Sequence, residues 1–317
     1  MDPHTSPNGL RLVNKPAGSG TRGRVLRVSG RHQVVDVEGV PWQCLVRGRL
    51  KEGAKQTNSP VIVGDWVLVE STGPQTGVIT QIMPRRTLFS RGASGRRRYE
   101  QVIAVNIDRL FVVVAIHEPE VHTGFIDRSI VMALKGGMEP VVCINKCDLA
   151  GHGELDQLVQ IYSRLGYAVH RTSALTGQGI PELRVALQER ASAFVGQSGV
   201  GKSSLINRID QRLRLRTQPL MTQHDRGRHT TAVAQLYQVE SGGYLIDTPG
   251  IKELQLHGIE LHELASYFVE MAPLLGCCRF RDCMHRQEPG CAIDAAVAAG
   301  RISSARYASY IRMLDDL

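Results

Sequence analysis

Gly196-Gln197-Ser198-Gly199-Val200-Gly201-Lys202-Ser203 follows the apolar run Ser192-Ala193-Phe194-Val195 and fits the pattern G-x-x-x-x-G-K-[ST]. A strand-to-helix loop of this kind needs its glycines so that successive backbone N–H groups can point at phosphate oxygens. In this pattern Lys202 reaches the β- and γ-phosphates and Ser203 ligates Mg²⁺. The helix opened by Gly201 and Lys202 adds its positive end, and Ser204 follows in the same turn. Downstream, Asp247-Thr248-Pro249-Gly250 closes the apolar run Tyr244-Leu245-Ile246. That is a D-x-x-G motif, with Asp247 toward Mg²⁺ and the Gly250 N–H toward the γ-phosphate.

A third motif selects the base. Asn145-Lys146-Cys147-Asp148 follows the buried-strand pattern Pro140 to Ile144. The Asp148 carboxylate can accept both the ring N–H and the exocyclic amine of guanine. Adenine offers neither donor on that edge, so mismatched buried polar groups reject it. The aliphatic stem of Lys146 packs over the base. Thr172-Ser173-Ala174 fits the second base-contacting loop, with Ser173 and Ala174 at the base. The order of the motifs is unusual. N-K-x-D normally comes last in a guanine-nucleotide domain, yet here it precedes the phosphate loop by about fifty residues. A circularly permuted α/β domain is the simplest chain that accommodates all three motifs.

Between the phosphate loop and Asp247, the basic, Gly-containing stretch from Arg212 to Thr231 reads as a switch loop. Thr230 or Thr231 would close on Mg²⁺ together with Ser203 and Asp247. Small regulatory GTPases place a water-orienting Gln directly after D-x-x-G. Ile251 stands there and cannot hydrogen-bond, so slow unaided turnover is expected. His229 is the candidate substitute, which makes Lys202 and His229 the candidate catalytic pair.

The rest of the chain divides around this core. Residues 1–21 mix Pro, Gly, Ser and Asn and are expected to form a disordered tail. Over 22–84, five short apolar-alternating segments separated by turns predict a small barrel. An OB-fold is the natural candidate, with RNA or DNA as its ligand, and an SH3-like barrel is the rival. Arg24, Arg27, Arg31, Arg47, Arg49, Lys51 and Lys55 decorate it. Residues 85–100 read as a basic linker, 101–255 as the nucleotide domain and 256–317 as a helical metal-binding domain. Residues 1–100 hold 16 Lys and Arg against 7 Asp and Glu, a charge of +9, whereas the whole chain carries +8. The basic excess therefore belongs to the N-terminal third, as a polyanion-binding surface requires.

Cys278-x₄-Cys283-x-His285-x₅-Cys291 offers three thiolates and one imidazole, a complete tetrahedral zinc set with no open position. The metal would be structural, and Cys277 could compete with Cys278 as a ligand. No apolar run reaches membrane-spanning length and the N-terminus resembles no signal peptide. A cytoplasmic location is expected, where clustered thiols favour metal over disulfide.

With these residues assembled, the chain closely resembles the RsgA (YjeQ) family of circularly permuted GTPases, which mature the bacterial small ribosomal subunit. The resemblance rests on 145–148, 196–203, Gly227-Arg228-His229-Thr230-Thr231, Asp247 to Ile251 and the Cys278/Cys283/His285/Cys291 set. It covers nearly the whole chain. One departure is Ala232, where the family often carries a third switch threonine. The resemblance implies a permuted P-loop GTPase core, an N-terminal five-stranded OB-like barrel and a C-terminal helical zinc domain. It also implies a GTP hydrolase acting late in small-subunit assembly, binding ribosomal RNA and stimulated by the subunit. The cofactors would be one Zn²⁺, and Mg²⁺ with GTP. A monomer with no membrane partner is expected. Ile251 keeps a second reading open, an RNA-binding module that GTP controls with only incidental turnover.

Overall fold

Between Thr21 and Ile82 short segments alternate apolar and polar or half-buried positions, as at Trp66 to Val69, which places every second side chain inward there. A computed structural model describes residues 20–51, 60–92, 100–151, 153–213, 234–247 and 256–317. Within it the alternating stretch forms β1 (Thr21–Ser29), β2 (His32–Val37), β3 (Val40–Val46), the helical turn α1 (Gly48–Lys51), β4 (Trp66–Gly73) and β5 (Thr76–Ile82). The strand order β1-β2-β3-β5-β4, with β4 returning to β1, closes a five-stranded barrel. Neighbouring strands are antiparallel except β3 and β5, which run parallel. An SH3-like meander has no such pair, so the barrel is OB-like. Val25, Val35, Val67 and Ile79 fill its interior.

The barrel arginines are not all free for a ligand. Arg24 is buried and donates to the Asn106 carbonyl at 2.7 Å. Arg47 pairs with Glu70 at 3.0 Å, while Arg27 and Arg31 are exposed. Lys55 lies outside the described residues. The stretch expected to be a linker also contributes structure. β6 (Leu88–Gly92) pairs with β7 (Glu100–Val105), because Phe89 and Ser90 are buried rather than solvated. Arg96, Arg97 and Arg98 fall outside the described residues.

The core that follows alternates strand and helix: β8 (Arg109–Ala115), α2 (Thr123–Lys135), β9 (Glu139–Asn145), α3 (Glu154–Ser163), β10 (Ala168–Arg171), α4 (Ile180–Leu187), β11 (Ala191–Val195), α5 (Lys202–Ile209), β12 (Gln235–Gln238) and β13 (Tyr244–Asp247). Strands β10, β9, β8, β11 and β13 lie side by side in that order, all parallel. The chain enters this sheet in the middle at β8, steps outward to β9 and β10, then returns to β11 on the other side of β8. That reversal is a topological switch point, where open α/β sheets leave a ligand crevice at the carboxyl ends of their strands. Strands β8, β9 and β11 are buried almost throughout, as coverage on both faces demands. α4 stops at Leu187, since Gln188 leaves the helical region and Glu189 takes a positive φ.

The C-terminal segment passes through 3₁₀ turns at Leu261–Tyr267 and Ala272–Leu274 into α6 (Ala292–Ala298) and α7 (Ser304–Asp316). α7 buries Arg306, Ser309, Tyr310, Met313 and Leu314, an i, i+3, i+4, i+7, i+8 stripe. That stripe packs with Val131 and Met132 of α2 and with Leu264, Phe268 and Met271. The nucleotide sheet and the C-terminal segment thus belong to one compact unit. The barrel forms the other, with residues 103–106 and 233–236.

A cluster of charged residues sits inside the helical core. Arg306 is 2% exposed and holds Glu270 with two nitrogens, at 2.7 and 3.1 Å. Its third nitrogen donates to Asp127 of α2 at 2.6 Å, and the Tyr162 hydroxyl of α3 donates to the same carboxylate oxygen at 2.9 Å. Its guanidinium lies 4.6 Å from the centre of the Phe268 ring. The two carboxylates push the Arg306 pKa up despite burial. Among the described residues no helix is long and apolar enough to cross a membrane.

Candidate nucleotide site and metal centre

The phosphate loop leaves the end of β11 and runs into α5. Gly201 takes φ +92°, and a Cβ there would stand 2.4 Å from Asn145 Nδ2. Gly196 presses on β8, where a Cβ would meet the Val113 carbonyl at 2.3 Å. Both contacts are too close for any side chain, so the glycines fit the loop between β8 and β9. Lys202 opens α5 and folds over its own loop, donating to the Gly196 carbonyl at 2.6 Å and to the Gln197 carbonyl at 2.8 Å. α5 buries Leu205, Ile206 and Ile209 on one face and leaves Ser203 and Ser204 partly exposed near its start.

Asn145 ties the loops together. It ends β9 and is 1% exposed. Its Nδ2 donates to the Val200 carbonyl in the phosphate loop at 2.8 Å. Its Oδ1 accepts the Ala174 N–H at 3.2 Å and the Thr172 hydroxyl at 3.3 Å. The base-reading motif, the 172–174 loop and the phosphate loop therefore form one assembly braced at a single amide. The Ser173 hydroxyl donates to Asp148 and accepts the Thr176 N–H at 3.1 Å, which fixes the aspartate's direction. Asp148 is exposed. Lys146 adopts φ +60° and its Nζ donates to the Glu118 carbonyl. The loop after β8 is thus a neighbour of the 145–148 motif that sequence reading missed.

Asp247 ends β13, whose Ile246 pairs with Ala193 of β11. The strands are parallel, so β13 ends at the same edge of the sheet as β11, which leads into the phosphate loop. Gly250, Ile251, His229, Thr230 and Thr231 lie outside the described residues. The root of the expected switch loop is visible. The Asp210 carboxylate accepts the Arg212 backbone N–H at 3.0 Å and the Arg212 guanidinium at 2.6 Å. It also accepts the Glu240 N–H at 3.0 Å, so one side chain holds residues on both sides of the loop. Hydrogen bonding from Arg212 holds the Asp210 carboxyl down to about 2. A carboxyl with a depressed pKa anchors above its ordinary range and lets go only as pH falls toward 2.

With Ser173 aiming Asp148, the Asp148→Asn change puts an amide donor against guanine's own donors. GTP binding should weaken by about 2 kcal/mol or more, roughly thirtyfold. Isothermal titration with GDP would measure it, and an unchanged affinity would remove Asp148 from the base site.

The cysteine cluster forms a second centre. Sγ of Cys278, Cys283 and Cys291 each lie 3.5 Å from His285 Nδ1, and Cys278 Sγ and Cys291 Sγ are 4.0 Å apart. All four ligand atoms fall within 4.8 Å of one another. A tetrahedral zinc with ordinary bond lengths needs edges of about 3.6 Å from sulfur to nitrogen and about 3.8 Å from sulfur to sulfur. The donor set therefore fits that ion. Cys277 is exposed and outside the cluster, so Cys278 is the residue in ligand position. Backbone N–H groups of Ala292 and Asp294 donate to Cys278 Sγ and Cys291 Sγ at 3.3 and 3.4 Å, which favours thiolates. Without a metal, burial pushes the Cys283 thiol up to about 12. The tyrosines of α7 hold the loop from below, Tyr307 donating to the His285 carbonyl and Tyr310 to the Met284 carbonyl, both at 2.8 Å.

The purified protein should carry one zinc per chain, and Cys283→Ser with Cys291→Ser should abolish it. Chelation should then loosen the C-terminal segment, because site formation and local folding are coupled. Elemental analysis finding no metal, or full metal in the double variant, would reject the site.

Comparison with known proteins agrees with this geometry. The family model described as RsgA GTPase matches residues 82–257. A protein of Gemmatimonas aurantiaca named small ribosomal subunit biogenesis GTPase RsgA is 40% identical over 290 residues, spanning 91% of this chain and 94% of its own. A Moorella thermoacetica protein of the same name is 40% identical over 295 residues, spanning 93% and 97%. The crystal structure of YjeQ from Thermotoga maritima superposes with a TM-score of 0.78 at 35% identity, covering 94% of this chain and 98% of that one. YloQ, described as a circularly permuted GTPase, gives 0.73 at 26% identity, covering 93% and 94%. Strand order, loop assembly and near full-length identity agree, and the chain belongs to the RsgA family of GTPases.

Proposed function

We propose that this GTPase acts late in assembly of the small ribosomal subunit, binding its ribosomal RNA in the GTP state and leaving after hydrolysis. The observation that carries the reading is the single assembly of phosphate loop, base-reading loop and 172–174 loop around Asn145, on a permuted sheet. The relatives' shared name supplies the subunit. GTP and GDP would sit along residues 196–204, with Asp148, Ser173 and Ala174 at the base and Lys146 beside it. Mg²⁺ would be held by Ser203, Asp247 and Thr230 or Thr231, and Gly250 would meet the γ-phosphate. His229 would place the attacking water. Zinc at Cys278, Cys283, His285 and Cys291 would be structural.

The basic N-terminal third supports RNA as the partner, since residues 1–100 carry +9. Residues 22–84 would contact RNA, 101–255 would read the nucleotide and 256–317 would carry the metal. The protein would work as a monomer in the cytoplasm. Ile251 explains why a partner is needed. Nothing at that position can orient water, so a subunit that orders the switch has a barrier to lower. Affinity for small subunits, measured with GDP and with a non-hydrolysable GTP analogue, tests the reading. Tighter binding with the analogue is expected. Equal affinities would contradict the reading and leave a plain RNA-binding module, whereas tighter binding with the analogue but no rise in turnover on adding small subunits would favour the second reading, which Ile251 also supports, a GTP-controlled RNA-binding module with incidental turnover.

A further inference from the structure

The chain has six phenylalanines. Phe89, Phe111, Phe194 and Phe268 are buried and Phe125 is partly so, but Phe280 is 45% exposed. Phe280 sits within Arg279-Phe280-Arg281-Asp282, the span between Cys278 and Cys283, and all four residues are exposed. The span is pinned at its start. The Arg279 N–H donates to the Gly290 carbonyl at 3.1 Å. Gly290 lies so close that a Cβ there would stand 2.8 Å from the Arg279 Cβ. The Arg279 guanidinium lies 5.5 Å from the centre of the Phe280 ring. Among the described residues no carboxylate pairs with Arg279 or Arg281, whereas the neighbouring Arg286 is held by Asp315.

We infer that Phe280 is a stacking platform for an unpaired RNA base, with Arg279 and Arg281 contacting the phosphates on either side. A flat exposed ring held by a metal loop and flanked by two guanidiniums matches what a splayed-out nucleotide offers, a π face and an anion. A membrane surface would require a larger apolar face than one ring. An apolar protein groove would use Phe280 but leave two guanidiniums without counter-charges. Asp282 lowers the net charge of the span, so the site favours one nucleotide over non-specific RNA. The inference rests on the small-subunit reading and names a contact within it.

The test uses the full-length, zinc-loaded protein, the non-hydrolysable GTP analogue and purified small subunits. Phe280→Ala should weaken subunit binding by roughly five- to a hundredfold, the range for one stacked base. Phe280→Tyr should stay within about twofold of the parent, while Phe280→Leu, apolar but without a π face, should bind as weakly as the alanine variant. The Arg279→Gln, Arg281→Gln double variant should lower the salt dependence by about two phosphate contacts. Unchanged zinc content establishes that each variant is folded. Equal binding by the parent and Phe280→Ala would overturn the stacking platform and leave the small-subunit reading standing. Full binding by Phe280→Leu would overturn it in favour of a protein contact. Failure of the parent itself to bind subunits would overturn both.

Discussion

Lys202→Ala is expected to lower GTP hydrolysis by roughly a hundredfold or more, the scale of losing one preorganised charge at a phosphoryl group. Lys202 is the first residue of α5, and its ammonium sits over the loop on the Gly196 and Gln197 carbonyls. In the nucleotide complex those carbonyl contacts would give way to β- and γ-phosphate oxygens. Little of the fold depends on them. The packing of α5 comes from Leu205, Ile206 and Ile209, none of which touches the ammonium's role. The variant should therefore melt close to the parent while losing turnover. Single-turnover hydrolysis and a melting curve on the same preparation measure both. Full activity in the variant would mean that 196–203 is not the phosphate loop.

Arg306→Met should produce the largest loss of stability, about 3–5 kcal/mol, because breaking a buried ion pair strands its partners. Arg306 is the shared partner of Asp127 and Glu270, and both carboxylates are themselves buried at the contact. Removing the guanidinium leaves two anions against Phe268 and Tyr162. Methionine preserves much of the side-chain volume, so the effect is electrostatic rather than a cavity. Adding Asp127→Asn should recover part of the loss by deleting one stranded charge. Urea unfolding followed by circular dichroism would measure the loss. An unshifted midpoint would show that the α2–α7 contact is not closed in solution.

Much of this architecture was legible from residue patterns. The barrel showed because apolar residues spaced two apart, such as Val35 and Val37 or Val67 and Val69, must face inward together. The parallel core showed because β8, β9 and β11 are apolar on both faces. Motif order then gave the permutation, since N-K-x-D before G-x-x-x-x-G-K-S requires a sheet entered in the middle. The metal set was legible from spacing alone. Contacts between distant residues that no local pattern marks were not. Asn145 was read as part of the base-selecting motif, and its hydrogen bonds to Val200 and Ala174, which brace the neighbouring loops, were not foreseen. Arg24 was read among the cations decorating the barrel but is buried and donates to the Asn106 carbonyl. Asp127 and Arg306 sit 179 residues apart, and each looks like an ordinary polar position on a helix. The one local hint was a charge in register with the buried stripe of its helix, Asp127 beside Ile126 and Ile130, and Arg306 in line with Tyr310 and Met313.

We propose that the small ribosomal subunit completes a catalytic site that Ile251 leaves unfinished. Steady-state GTP turnover by the full-length protein alone, with purified small subunits, and with purified large subunits tests this. Slow turnover alone, a rise of tenfold or more with small subunits, on the order seen when a partner orders a switch, and no rise with large subunits is the expected result. Turnover that small subunits leave unchanged, or that both subunits raise equally, would contradict the account.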